Sequence, residues 1–407
     1  MSQPLPVSVI VVSRHRPGPL RRCLLGLSQM DHPALEVIVV ADPAGLAVAR
    51  RFPVRTVAFD EANIAAARNA GICAAAGEIV AFTDDDAVPE PQWLRHLTAP
   101  FSNPEVTAAG GFVVGTNGIT LQWSGGTVGR LLETGPLPIG GDETGLHRAS
   151  PGKAIEIKGV NCAYRRRTLL EMGGFDPELH YYLDETELNL RLAGRGAVTA
   201  IVPEARVHHR KAASDLRHAD RMPRDLTMIG ASTAITLRRH GATGPEIDRV
   251  CTDLVAEQTA KLDRLVAARK LTRAEAGRLL ATLRTGLAEG RARPLSPLVP
   301  LRPAGNAFAP FPAVARKTVV LAGRGWQRAG LSREAARHAA AGQVVRLFLF
   351  SPTALFHRQR FTDEGFWLQT GGLFGKSDRC DPLFRYWRFS ARLRRESARF
   401  SDGFGNS

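Results

Sequence analysis

The chain is poor in the features that mark membrane-embedded or disulfide-stapled proteins. No apolar run approaches the roughly 20 residues that cross a bilayer. The longest runs, VSVIVV at 7–12, EVIVV at 36–40 and VVRLFLF at 344–350, have the length of buried strands. The five cysteines, Cys23, Cys73, Cys162, Cys251 and Cys380, are dispersed and lack any CxxC spacing. That argues against a disulfide framework or a structural zinc site and fits a reducing compartment. Aromatic residues make up 7% and are not interleaved with basic ones in a base-stacking pattern, so nucleic acid is not an expected partner. The first residues, MSQPLP, carry no basic n-region, so no secretory signal is expected there.

What the chain does have is charge, unevenly placed. Residues 1–210 hold 20 Lys and Arg against 22 Asp and Glu, whereas residues 211–407 hold 34 against 17, and together they give a net charge of +15. A near-neutral half joined to a strongly basic half points to an anionic surface or partner for the latter.

The first 110 residues alternate strand and helix signals. The strands read VSVIVV, LEVIVVAD, VRTVAF and EIVAFT, and between them lie helical stretches such as PLRRCLLGLSQM and ANIAAARNAGICAAAG. Unbroken β-branched runs separated by helices predict an α/β fold around a mainly parallel sheet, with ligands beyond the C-terminal strand ends. Residues 111–158 read as loops and short strands, and AVTAIVPEARVHHR closes this unit near residue 210. The expected organisation is a catalytic domain over 1–212, a helical segment over 213–292, a proline-rich linker over 293–312 and a small α/β accessory region over 313–407.

The strongest chemical signal is Asp84-Asp85-Asp86, closing the strand EIVAFT. Adjacent carboxylates at a strand end repel one another, and a hard divalent cation relieves that repulsion while leaving positions open for phosphate oxygens. A solvated acidic turn is the plain alternative. With these carboxylates in place, the sequence resembles the family 2 glycosyltransferases of GT-A fold through an ordered series of segments: PVSVIVVSRHRPGPLRRCLLGL, EVIVVAD, NIAAARNAGICAAAGEIVAFTDDDAVPEPQWL and GVNCAYRRRTLLEMGGFDPELHYYLDETELNLRLAGRG. The match covers about residues 5–210.

The resemblance implies a metal-dependent inverting transfer of a sugar from a nucleotide-diphosphate donor to an acceptor hydroxyl, in the synthesis of a cell-surface glycan. Asp84 and Asp86 would hold Mn²⁺ or Mg²⁺, and His208, of the pair His208-His209, would complete the shell. Ser13, Arg16, Asp42, Arg68, Asp85, Gly159 and Asn161 would contact the nucleotide-sugar, Asp42 as the carboxylate that recognises the base. The general base would come from Asp184-Glu185. Aligning on LNLRL puts Glu185 where the family has an aspartate, and Asp184 stays open as the alternative. Trp123 could stack on a sugar or simply pack.

Three departures matter. His15 stands where Asn or Asp is common, and ADPA at 41–44 replaces Asp-Asp-Gly-Ser, which leaves the nucleotide open. The absence of QxxRW favours single addition over polymerisation. A sugar-phosphate nucleotidyltransferase would need a Gly-rich activating loop after the first strand, which is absent, and a non-catalytic binding module would leave the carboxylate pairs without purpose. The expected partners are a nucleotide-sugar, a glycan or lipid-linked acceptor and an anionic membrane surface met by the basic half. The expected location is cytoplasmic, peripheral on the inner membrane face.

Overall fold

The computed structural model describes residues 4–210, 222–312, 317–378 and 380–399. The starts of the expected helical and accessory segments, 213–221 and 313–316, lie outside the described residues. The first four parallel-type strands are β1 (Val7–Ser13), β2 (Leu35–Ala41), β3 (Arg55–Ala58) and β4 (Ile79–Asp84), with helices α1 (Pro17–Leu27), α2 (Pro43–Ala49) and α3 (Ile64–Ala74) between them. Then follow β5 (Ala87–Pro89), α4 (Trp93–Thr98), β6 (Val106–Val114), β7 (Leu121–Trp123), β8 (Gly126–Gly129), β9 (Thr134–Pro136), β10 (Gly145–Arg148), β11 (Lys153–Glu156), β12 (Cys162–Arg165), α5 (Arg166–Glu171), α6 (Asp184–Gly194) and β13 (Val198–His209).

The main sheet runs β10-β13-β6-β12-β4-β1-β2-β3. β1 pairs in parallel with both β2 and β4, β2 pairs in parallel with β3, and β6 does so with β13; β12 is antiparallel to β4 and to β6. The apolar runs are continuous because both faces are covered. Val7, Val9 and Val11 enter one core with Val37 and Val39, while Ile10, Ile38 and Val40 enter the other. The strand period of two sorts neighbours onto opposite faces. The expected α/β class with a mainly parallel sheet is what the chain adopts.

Beyond this unit, α7 (Thr227–Arg239), α8 (Gly244–Ala267) and α9 (Arg273–Ala292) form a helical segment. Thr243 with Glu246 and Thr272 with Glu275 make capping boxes that start α8 and α9. The approach of α7 to α9 is set by glycine: a Cβ on Gly286 would lie 1.9 Å from the Thr227 carbonyl oxygen. So placed, α7 braces the N-terminal α/β unit. Arg239 donates to buried Asp176 at 2.7 Å, and the Ser232 hydroxyl donates to the Tyr181 carbonyl at 2.7 Å.

The proline-rich stretch 293–312 carries no regular element, yet it is strapped to the N-terminal α/β unit. The amides of Leu301, Ala304 and Phe311 donate to the carbonyls of Leu170, Cys73 and Leu35, and Phe311 is buried in the core. Buried Glu36 accepts from the Ser8 hydroxyl and from the Ala76 and Ala309 amides, tying the strap to β1 and β2.

The last sheet runs β14 (Thr318–Arg324), β15 (Val344–Ser351), β17 (Trp367–Gly372) and β16 (Arg358–Phe361), with α10 (Arg328–Ala340) and α11 (Phe389–Ala398) packed on it. Its β16–β17 edge docks on the N-terminal α/β unit: Phe361 and Trp367 cluster with Val88 and Leu25, and the Arg22 guanidinium meets Asp363 at 2.7 Å. No helix among the described residues is long and apolar enough to cross a membrane.

This small sheet encloses a titratable group. His357 is buried against the Gly372 carbonyl at 2.9 Å, Gln369 at 2.8 Å and the Arg392 guanidinium at 3.0 Å. Burial first, then Arg392, push its pKa down to about 4. In the unfolded chain the same group titrates near 6.5. Between those values the unfolded state binds the extra proton, so stability is present above about pH 6.5 and declines as pH falls toward 4. The protection factors of amides in β15 and β17, corrected for the intrinsic pH dependence of exchange, should therefore fall across that interval, and His357→Gln should flatten the dependence. An unchanged slope in the variant would assign the acid lability elsewhere.

Candidate active site

The C-terminal ends of β1, β4 and β13 meet the N-terminus of α6 around a cavity of about 540 Å³. One wall carries Asp84 and Asp86 from the end of β4, with His209 from the end of β13. One ligand atom from each of these three lies within 4.8 Å of the others. The opposite wall carries Asp184 and Glu185 from the first turn of α6, with Lys158 and Gly159 beside them.

The second histidine, not the first, faces the carboxylates. His209 Nε2 is 3.1 Å from Asp86. His208, expected in the metal shell, instead meets Glu90 at 2.8 Å and packs edge-on against Trp367 of the small sheet, centroids 4.8 Å apart. Alternation along β13 explains the correction, because consecutive side chains point to opposite faces. The His208–Glu90 pair is buried beside Arg346, whose pKa burial pushes down to about 9 against the pull of Glu90.

The remaining expected contacts divide in two. Arg16, Arg68 and Gly159 line the cavity; Ser13, Asp42, Asp85 and Asn161 stand behind it. Asp85 is fully buried, accepts from the Ser13 hydroxyl at 2.7 Å and from Arg16 Nε at 3.0 Å, and so holds Arg16 in place. Burial, opposed by Arg16, raises its pKa to about 7. Arg16 also reaches Asp86 at 3.0 Å. Asp42 caps α2, accepting from the Ala44 and Gly45 amides and from the His15 amide at 3.1 Å. Asn161 is a core bracket: it accepts from the Trp93 indole at 2.7 Å and donates to the Phe112 and Ala205 carbonyls. Its side chain does not reach the cavity.

Arg68 is the hub. It is buried against the mutually packed rings of Phe175 and Phe82, with centroids at 5.1 and 5.8 Å, and pairs with Asp184 and, at 3.5 Å, with Asp84. Gly159 gives it room, since a Cβ there would lie 2.4 Å from the guanidinium. The cation thus bridges the two acidic walls.

Asp184 and Glu185 share a hydrogen bond, and their environments push them apart. Burial raises Asp184, against Arg68, and the charge of Glu185 raises it further. Burial also works to raise Glu185, but Arg68 and Lys158 outweigh it and hold its carboxyl below the ordinary glutamate value. Glu185, half-exposed at the cavity, is therefore the carboxylate that stays ionised near neutral pH.

Residues outside the expected set complete the walls. Tyr182 and Leu183 have φ of 73° and 65°, left-handed values in non-glycine residues, immediately before α6. Such conformations cost about 1–3 kcal/mol each and gather at functional sites. The only trace of them in the sequence is the aromatic pair before the acids, YYLDE. Trp123 lines the cavity and also packs against both cores, so packing and access to a ligand coexist there.

The strand ends of this α/β sheet thus bring two aspartates and a histidine, a set able to hold a divalent ion, to the same cavity as a paired carboxylate. Residues 8–171 match the family model "Glycosyl transferase family 2". The chain is similar to the O-antigen biosynthesis protein RfbC of Myxococcus xanthus, 30% identical over 232 residues covering 53% of this chain and 18% of that one. It is also similar to the glucosyl-dolichyl phosphate glucuronosyltransferase of Haloferax volcanii, 29% identical over 36% of this chain and 48% of that one. The chain spans less than half the length of these relatives. Among solved structures, the mannosyltransferase PcManGT of Pyrobaculum calidifontis in complex with GDP-Man and Mn²⁺ aligns with a TM-score of 0.42 at 18% identity, covering 70% of this chain and 87% of that one.

Proposed function

We propose that the chain is an inverting, metal-dependent glycosyltransferase that moves a sugar from a nucleotide-diphosphate donor to an acceptor hydroxyl in cell-surface glycan synthesis. The observation that carries this is the opposition, across one cavity, of the Asp84–Asp86–His209 group and an ionised Glu185. Two carboxylate oxygens and an imidazole nitrogen within 4.8 Å suit a small divalent ion, and the imidazole tips the set toward Mn²⁺ over Mg²⁺. When bound, the ion offsets the charge that grows on the leaving diphosphate.

The chain's own residues do the rest. Asp84, Asp86 and His209 would hold the ion, and Arg16, oriented by Asp85, offers a cation on the same wall for phosphate oxygens. Glu185 takes the proton from the acceptor hydroxyl as that oxygen attacks the sugar from the face opposite the leaving group. Asp184 and Arg68 position Glu185 and keep it charged. An acceptor seated beside Tyr182 and Leu183 would have its hydroxyl presented to Glu185. The kinship with an O-antigen biosynthesis protein supports a glycan or lipid-linked acceptor. A thermal-shift panel of nucleoside diphosphates and nucleotide-sugars with Mn²⁺ tests the reading, because ligand binding to the native state raises Tm by mass action. One nucleotide class should raise Tm with Mn²⁺ and fail to do so with EDTA; no shift with any member would refute it.

A further inference from the structure

The small C-terminal sheet meets the N-terminal unit along β16 and the start of β17, where the Gln359 amide donates to the Asn117 carbonyl at 2.8 Å and Phe361 and Trp367 pack on Val88, while the C-terminal ends of β14 and β15 carry an unusual surface. Trp326, Leu355, Phe356, Leu383, Phe384 and Tyr386 are each 59–78% exposed. They lie around the C-terminal ends of β14, β15 and β17, away from the Phe361–Trp367 contact with Val88. The patch is continuous. Leu355 and Phe356 share a cleft of about 620 Å³ with Gly325, the neighbour of Trp326. The Phe374 ring stacks on Tyr386 at 5.7 Å and meets Phe384 at 5.6 Å, and the Lys376 ammonium lies 5.9 Å from the Phe356 ring. Contiguous exposed apolar surface of this kind marks an interaction site.

Its surroundings are cationic. Arg328 and Arg358 line the cleft, and Arg385 and Arg388 alternate with the exposed rings along the 383–388 segment. Residues 313–407 hold 17 Lys and Arg against 7 Asp and Glu. The acids nearest the segment, Asp378 and Asp381, are paired with Arg399 and Arg395. A contiguous apolar patch bordered by arginines suits a boundary that is apolar below and anionic above. Trp, Tyr and Phe settle at the headgroup level of a bilayer, and Lys and Arg are drawn to its anionic face. A protein partner of matching chemistry would need an acidic apolar groove, whereas a membrane supplies both properties at once.

We infer that this aromatic and arginine-rich end of the C-terminal sheet docks the protein on an anionic lipid surface, with the six apolar side chains seated among the headgroups. The inference does not depend on the transfer reaction. The test is flotation of the full chain with vesicles of phosphatidylcholine alone or with 30% phosphatidylglycerol, a composition of about one anionic lipid in three. Two variants accompany it: Trp326→Ser with Phe356→Ser and Phe384→Ser, and Arg328→Gln with Arg358→Gln and Arg385→Gln. The wild type should bind the anionic vesicles at least about tenfold more tightly than the neutral ones and lose this advantage in high salt. Each variant should lose at least about tenfold, with Tm and nucleotide binding unchanged. Equal binding to both vesicle types, or full binding by both variants, would overturn the assignment. So would a concentration-dependent dimer in vesicle-free buffer that the apolar variant abolishes, since the surface would then belong to a second copy of the chain.

Discussion

Glu185→Gln should lower kcat for sugar transfer by about 10²–10⁴-fold, the range that a positioned general base contributes. The amide keeps the shape of the side chain and cannot take a proton. Binding of the nucleotide should persist, because the phosphate-facing groups lie on the opposite wall with Asp86 and Arg16. The expected pattern is therefore a fall in kcat with little change in donor KM. Asp184→Asn should be milder on the chemical step and should show itself in the pH profile. Without the Asp184 partner that helps to hold Glu185 low, the acid limb should move upward. If Asp184→Asn abolished turnover and Glu185→Gln did not, the roles within the pair would be reversed.

Arg68→Met should be the most damaging single change to stability. The guanidinium is buried, packed against two phenylalanine rings, and is the cation shared by Asp84 and Asp184. Its loss leaves two carboxyl groups without their counter-charge, and breaking a buried pair in this way costs about 3–5 kcal/mol. The deficit should depend on pH in a defined sense. Without Arg68, burial raises both carboxyl pKa values above their unfolded values, so the native state holds protons that the unfolded state releases. Stability then falls as pH rises. Denaturant melts of the variant should accordingly show a smaller deficit near pH 5 than near pH 8. A deficit independent of pH would mean that lost packing, not lost charge, dominates.

Much of this was legible in the chain. The unbroken runs VSVIVV, LEVIVVA and IVAFTD announce strands buried on both faces, and strand order then delivers their C-terminal ends, with the aspartates, to one site. The pairing of Asp184 with Glu185 at a helix start was equally plain. What could not be read was direction. Whether His208 or His209 turns toward the aspartates depends on the register of β13 against β5 and β6, a tertiary fact. Asn161 and Asp85 sit in the right segments but point into the core or behind the wall, which spacing alone does not specify. Arg68 was expected near the nucleotide from the resemblance alone, and its part as a bridge between two acidic clusters appears only when α3 and α6 are brought together. The strap at 293–312 reads as a spacer because prolines suppress regular structure, while its anchoring rests on backbone donors and on one buried ring, Phe311.

The central claim is that the Asp84–Asp86–His209 wall holds a divalent ion for a nucleotide diphosphate. The most direct measurement is calorimetric titration of nucleoside diphosphates into the wild type and Asp86→Ala, each with Mn²⁺ and with EDTA. The account predicts binding of one nucleotide by the wild type with Mn²⁺, and at least about a tenfold loss on chelation or in the variant. Binding of equal strength in all four conditions would contradict it.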